Sequence, residues 1–94
     1  MPAYIIADVN WLEPEAVQLY GQLAYPTLVA AGGKILAATS QGEVIEGDWR
    51  PNLLVLIEFP NAEAARGWLD SPEYRPAREI RFRSASTNLI LLME

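Results

Sequence analysis

The sequence contains neither cysteine nor histidine in its 94 residues. Without cysteine there is no disulfide, no thiolate nucleophile and no thiolate metal site. Without histidine there is no imidazole base for a Ser-His or Cys-His dyad, and the usual zinc and haem ligand is missing. Catalysis would have to use Asp, Glu, Tyr, Lys, Arg or backbone groups, or a borrowed cofactor. Most hydrolase and metalloenzyme classes are therefore excluded, and we expect no metal site and no resident cofactor.

Basic residues and long apolar runs are also scarce. The sequence has seven Lys and Arg residues and twelve Asp and Glu residues, which gives a net charge of −5. Nucleic-acid binding depends on clustered basic residues, so nucleic acid is not an expected partner. No apolar run approaches the roughly 18–20 residues that cross a bilayer, and no basic region precedes the first apolar residues as in a secretory signal. We expect a single cytoplasmic domain over residues 1–94 with no membrane partner.

Four segments have the composition and alternation of β-strands. These predicted strands cover residues 3–9, 34–39, 53–59 and 87–93. A further short extended piece, an edge strand or hairpin arm, is predicted at 43–46 between two glycines.

Helices are predicted between the strands. The first opens in the segment EPEA at 13–16, with Glu13 as the cap and Pro14 at the first helical position, and ends at Gly32-Gly33, with a kink or a break at Pro26. A second helix follows Asn61, whose side chain is a suitable N-cap. A helical turn and a short helix, restarted at Pro76, complete the set.

The order of these elements is strand, helix, strand, strand, helix, strand, which is the split βαβ arrangement (βαββαβ) of ferredoxin-like domains. The predicted class is α+β, with an antiparallel sheet that has its helices on one face. If the other face met water, each strand would alternate apolar and polar residues. In the segment LLVLIEF at 53–59 only Glu58 is polar. This strand is therefore apolar on both faces.

Two helices cannot cover both faces of such a sheet. Contiguous exposed apolar patches of several hundred Å² are uncommon on soluble monomers. Burying a face of about 600–800 Å² contributes on the order of 15–20 kcal/mol before entropic costs. A homodimer packed sheet to sheet is the simplest way to cover the second face, since twofold pairing is the commonest closed assembly.

Several segments together resemble a known family. The segments MPAYIIADV, AAGGKILA and LIEFPNAEAARGWLDSPEY, with the Arg-rich helix that follows, are similar to domain-of-unknown-function family 1330 over essentially the whole chain. The resemblance implies ferredoxin-like domains that dimerise into an α+β barrel, and it implies no established reaction. Similar dimeric barrels include cofactor-independent monooxygenases and haem-degrading enzymes. The haem type is disfavoured because no histidine is present as an axial ligand.

Two carboxylates, Asp8 and Glu58, are candidates for acid–base catalysis. Each shares a strand face with apolar residues and lies late in its strand. We expect the first and third strands to be parallel neighbours, which would let the two carboxylates approach each other. A desolvated carboxylate has a raised pKa and can act as acid or base near neutral pH. The alternative is that both are hydrated at strand ends or bonded to backbone N–H groups and arginine.

Four further residues form a candidate ligand-binding set. Arg78 and Arg81 lie three residues apart and share a helix face, so they could bind a ligand carboxylate or the two acids. The alternative is that they are solvated or paired with neighbouring glutamates. Tyr20 lies on a predicted core stripe, where packing is the simpler interpretation. Trp49 lies in a polar loop and is a candidate lid or dimer contact.

Two function classes remain open, and the sequence does not decide whether the protein is an enzyme. The first is a dimeric protein that binds a small organic ligand in a cavity between the sheet and the helices or at the dimer seam. It would include oxygenase-like or isomerase-like enzymes that use carboxylate acid–base chemistry. The second is a non-catalytic dimeric module with a filled interior, whose polar residues serve folding and assembly alone.

Overall fold

A four-stranded antiparallel sheet and three helices make up the structure, a computed structural model that describes residues 1–94. The sheet order is β2-β3-β1-β4, which confirms the ferredoxin-like α+β prediction. The elements in chain order are β1 (Ala3–Trp11), α1 (Ala16–Ala30), β2 (Lys34–Thr39), β3 (Leu53–Phe59), α2 (Ala62–Asp70), α3 (Arg75–Ser84) and β4 (Ala85–Met93).

The two central strands, β1 and β3, are antiparallel, so the expectation of parallel neighbours is wrong. The helical crossover through α1 makes β2 parallel to β1, and the direct connection from β2 then reverses the direction of β3. In this register Asp8 lies opposite Leu54, whereas Glu58 lies opposite Tyr4. The two acids are thus four residue steps apart along the ladder, about 13 Å. They do not approach each other.

Helix α1 begins later than predicted and is not broken. The amides of Ala16 and Val17 first donate to the carbonyls of Glu13 and Pro14, in a turn that leads into the helix. The helix then continues through Pro26. Proline deprives only one carbonyl, that of residue 22, of its helical donor, and this residue is exposed to water. The predicted end is confirmed, because Gly32 has the positive φ of 85° that a left-handed helix end requires.

The extended piece predicted at 43–46 is absent. This segment pairs with no strand and belongs to an exposed loop between β2 and β3. Asp8 holds the far end of this loop through its side chain, as described below. The other caps follow the sequence: the Asn61 side chain accepts a hydrogen bond from the Ala64 amide at 2.8 Å, and Pro76 lies in the first turn of α3.

The helices pack against one face of the sheet, here called the inner face. In β1 the odd-numbered residues from Ala3 to Val9 point inward and are buried, and Ile5 and Phe59 are fully buried. The aromatic rings of Trp68 and Tyr74 stack above them with centroids 4.1 Å apart. This cluster joins α2 and α3 to the two central strands and forms the core.

The opposite, outer face is also apolar, as predicted. Ile6 lies directly between Leu56 and Ile90 on the neighbouring strands. No helix covers this face, and Ile90 and Leu92 are 55% and 46% exposed. The β2–β3 loop reaches only the end of the face near Asp8 and Leu54. The chain therefore has an apolar sheet surface that it does not cover itself.

Replacing Gly33 with alanine is expected to destabilise the fold by about 1–3 kcal/mol. A methyl group at this position would contact Leu28 Cγ at 2.9 Å and Phe59 Cε1 at 3.0 Å, and both side chains are buried. Gly67 is a matched control, because a methyl group there meets nothing within 4 Å. Gly67→Ala should stabilise helix α2 by about 0.5–1 kcal/mol. Urea denaturation measures both changes, and equal effects of the two substitutions would contradict the packing described for Gly33.

Candidate functional site

A cavity of about 240 Å³ lies between the inner face of the sheet and helices α1 and α3. Its walls are almost entirely apolar, since 16 of its 18 lining residues are hydrophobic. Small residues on both sides leave room for it. Those small residues are Ala7 on the sheet and Gly21 and Ala24 on the helix.

The cavity opens to the surface between α1 and β2. Val17, Tyr25 and Ile35 line it and are exposed. The cavity is thus separated from the outer face by the sheet itself. Of the two locations considered from the sequence, the structure places the cavity between the sheet and the helices.

One end of the cavity is polar and is formed by Tyr20, Tyr74 and Arg81. The two tyrosine hydroxyls are 2.7 Å apart and share a hydrogen bond. Arg81 Nε donates to the Tyr74 hydroxyl in a longer contact of 3.4 Å. Burial raises the pKa of Tyr20, and the neighbouring Tyr74 raises it further by a smaller amount. Tyr20 is therefore a neutral hydrogen-bonding group at neutral pH and not a base.

Arg81 is the unusual member of this group. It is only 6% exposed, and no carboxylate lies within ion-pair distance of it, since the single salt bridge in the chain joins Arg78 to Asp70. Its guanidinium carbon lies 5.1 Å from the centre of the Phe82 ring, which supplies a partial compensation for the charge. Buried charges are normally paired. This cation is not.

Of the six candidate residues from the sequence, Tyr20 and Arg81 line the cavity. Arg78 does not, although it is three residues from Arg81. It donates to the Leu69 carbonyl at 2.9 Å and pairs with Asp70 at 3.7 Å, so it fastens α3 to the end of α2. The two arginines therefore do not act together, because Arg78 makes a structural contact and Arg81 lines the cavity.

Asp8 and Trp49 lie together on the outer face, away from the cavity. Asp8 accepts hydrogen bonds from the Asn52 amide at 2.8 Å and from the Trp49 indole at 3.0 Å. Both hydrogen bonds lower the pKa of the Asp8 carboxyl, and the one from the Asn52 N–H has the larger effect. This carboxylate is ionised at neutral pH and anchors the β2–β3 loop on the sheet.

Glu58 lies at the opposite end of the outer face. The Tyr4 hydroxyl donates to one of its carboxylate oxygens at 3.4 Å, and Lys34 is its neighbour on β2. It does not line the cavity. Neither carboxylate considered for acid–base chemistry therefore contacts the space where a ligand would fit.

Sequence reasoning missed Tyr74 and Trp11 as cavity residues. Tyr74 packs in the core through a buried ring with a hydrogen-bonded hydroxyl, and it also lines the cavity. A signal for its second role exists in the sequence. Tyr74 and Arg81 are seven residues apart, which places them on the same stripe of a helix as the buried Ala77. An arginine on a buried stripe indicates a site.

The described side chains offer no group of three or more Asp and Glu residues that could hold a metal ion. The three helices are too short or too polar to cross a membrane.

Solved structures with the same fold define the class of this protein. The RPA0582 protein of unknown function from Rhodopseudomonas palustris is 22% identical, with a TM-score of 0.81 over 99% of this chain and 82% of that one. A dimeric ferredoxin-like protein of unknown function from Thermobifida fusca is 15% identical, with a TM-score of 0.69 over 100% and 92%. SnoaB from Streptomyces nogalater, a cofactor-independent oxygenase, is 13% identical, with a TM-score of 0.68 over 99% and 92%. At these identities the likeness establishes the ferredoxin-like fold alone.

The family assignment is more specific. The model of the family described as Domain of unknown function (DUF1330) matches residues 2–94, and the chain belongs to this family. The resemblance inferred from the sequence is thereby confirmed. A search of curated proteins gave no significant match.

The anchoring of the loop by Asp8 should depend on pH. Because the pKa of Asp8 is lowered in the fold, its contribution to stability is present above the unfolded-state value of about 3.9 and is lost as the pH falls further. We expect the NMR signal of the Trp49 indole N–H to shift as the pH is lowered below about 4. In Asp8→Asn this titration should disappear, whereas Asp48→Asn, a control in the same loop, should keep it. An unchanged titration in Asp8→Asn would contradict the assignment.

Proposed function

We propose that the protein is a homodimer that binds a small organic molecule in the cavity between the inner face of the sheet and helices α1 and α3. The observation that supports binding is the cavity itself, which combines apolar walls with one polar end. Small-molecule sites in proteins have this composition, with a few polar groups that orient the ligand. The non-catalytic alternative requires a filled interior, and the cavity argues against it.

The volume limits the size of the ligand. An apolar cavity of about 150 Å³ is large enough to hold benzene. By proportion, about 240 Å³ suits a molecule of about ten non-hydrogen atoms. An aromatic ring or a branched aliphatic chain would match the walls, which include Trp11 and Trp68.

The proposal contains no carboxylate acid–base step. Asp8 and Glu58 lie on the outer face, and neither contacts the cavity. The oxygenase activity of SnoaB belongs to that protein. For this chain the groups at the polar end support binding and orientation of a ligand.

The homodimer is supported by the uncovered outer face. Ile6, Leu56 and Ile90 form a row across three strands there, with Leu54 and Leu92 beside it. Two structures with the same fold, from Thermobifida fusca and Jannaschia, are described as dimeric. Sheet-to-sheet pairing of two copies would remove this apolar surface from water. The ligand cavity would stay open, because it lies on the other side of the sheet.

Filling the cavity with a larger side chain should weaken ligand binding. Gly21 lines the cavity, and a side chain added there meets no atom within 4 Å of its first carbon. We expect Gly21→Phe to lower the affinity for a small aromatic probe such as indole by about tenfold or more, measured by calorimetry. A second variant, Ala7→Leu, fills the same space from the sheet. Gly67→Phe is the matched control, since Gly67 is also helical and unobstructed but lies outside the cavity.

Binding that survives both cavity-filling variants would place the probe elsewhere and refute the site. If no aromatic or organic-acid probe binds the unaltered protein, the proposed function is refuted. Far-UV circular dichroism and thermal melting establish that each variant is folded.

A charge placed in the outer face should separate the dimer. Light scattering at micromolar concentration is expected to give twice the chain mass for the unaltered protein and the chain mass for Leu56→Lys. Leu19→Lys is the control, because Leu19 is an exposed leucine on α1, away from the outer face. A single-chain mass for the unaltered protein would refute the dimer and leave the cavity proposal standing.

A further inference from the structure

The polar end of the cavity has more hydrogen-bond donors than acceptors can satisfy. Tyr20 and Tyr74 each have one hydroxyl hydrogen, and their shared hydrogen bond uses only one of the two. The remaining O–H has no acceptor within the chain. Arginine offers five N–H donors and accepts none. Arg81 uses only its Nε donor within the chain.

The two terminal nitrogens of Arg81 are not completely buried. The fully buried side-chain polar atoms that lack a partner are Arg78 Nε and Thr87 Oγ1, and no atom of Arg81 is among them. Arg81 also lines the cavity, next to the hydroxyl of Tyr74. The polar end thus presents several N–H donors, one O–H donor and a full positive charge, with no carboxylate opposite.

We propose that the ligand is an organic anion, a monocarboxylate whose head binds Arg81 and the free tyrosine hydroxyl while its apolar part fills the cavity. This inference rests on the proposed function, because it names the class of ligand for the same cavity. A carboxylate has two oxygens and only accepts hydrogen bonds when ionised, so it matches the surplus of donors. Its two oxygens also fit the planar guanidinium fork.

The charge of Arg81 favours an anion over a neutral polar ligand. The chain has twelve acidic residues, and the structure places none of them against this cation. A buried unpaired charge costs stability, and a neutral ligand would not offset that cost. A ligand with a single carboxylate would pair the positive charge of Arg81, and its hydrocarbon part would pack against the apolar walls. The inferred class is therefore an aromatic or branched aliphatic acid, and not a sugar, a nucleotide or a dicarboxylate.

The test uses pairs of compounds that differ only in charge. The probes are 3-phenylpropanoate and its amide, 3-phenylpropanamide, which have almost the same shape and size. Binding is followed at pH 7 by calorimetry and by the fluorescence of Trp11 and Trp68, both of which line the cavity. We expect the acid to bind the unaltered protein about ten- to a hundredfold more tightly than the amide, as for a charge-assisted hydrogen bond.

Two substitutions on helix α3 assign the preference to one side chain. Arg81→Met keeps a long side chain but removes the charge, so the acid and the amide should then bind with equal affinity. Arg83→Met removes a charge from an exposed position of the same helix and should leave the preference intact. Because Arg81 is buried without an anionic partner, Arg81→Met should melt at the same temperature as the unaltered protein or higher.

The outcomes separate the two proposals. A preference for the acid that disappears in Arg81→Met supports the inference. Equal binding of acid and amide by the unaltered protein overturns the anion inference and leaves the ligand-binding function in place. A preference that persists in Arg81→Met overturns the assignment to Arg81. If neither compound binds, and the neutral indole probe does not bind either, the proposed function and this inference both fail.

Discussion

The alternation of side chains along the central strand is the constraint on which the rest of the structure depends. A β-strand directs successive residues to opposite faces, and β1 has two hydrogen-bonded neighbours that fix which residues share a face. Ile5 therefore belongs to the core beneath the helices, whereas Ile6 belongs to the uncovered outer face. A shift of one residue in this register would exchange the two sets. Both the cavity and the proposed dimer surface follow from this one pairing.

Above the inner face, the hydroxyl contact between Tyr20 and Tyr74 joins α1 to α3 instead of to the sheet. The space that this arrangement leaves is only partly filled by Ala7 and Ala24, and empty apolar volume lowers stability because its walls lose packing contacts. Arg81 adds a second unfavourable feature at the same place. Both features lower stability, and the ligand proposed above would offset both.

Local features of this fold could be predicted from the sequence, because each depends on a few neighbouring residues. Asn61 caps α2 and Gly32 ends α1 as their chemistry requires. The antiparallel pairing of β1 and β3 follows from the element order and was predicted wrongly, which misplaced Asp8 relative to Glu58. The cavity could not be predicted, since the space between α1 and the sheet depends on packing between elements distant in sequence. Arg81 differs from Arg78 because it shares a helix stripe with Tyr74 and the buried Ala77, a signal in the sequence that the shared-face prediction overlooked.

The sheet is a single layer of backbone, and its two faces have different surroundings. In the proposed arrangement, a substitution at an odd position of β1 would alter the surface that the helices and the ligand contact, and a substitution at an even position would alter the surface that a second copy of the chain contacts. Neighbouring residues in the sequence are thus free to change independently of each other. Descendants of this protein could alter the molecule they recognise without altering how they assemble, and a change of assembly could leave recognition untouched.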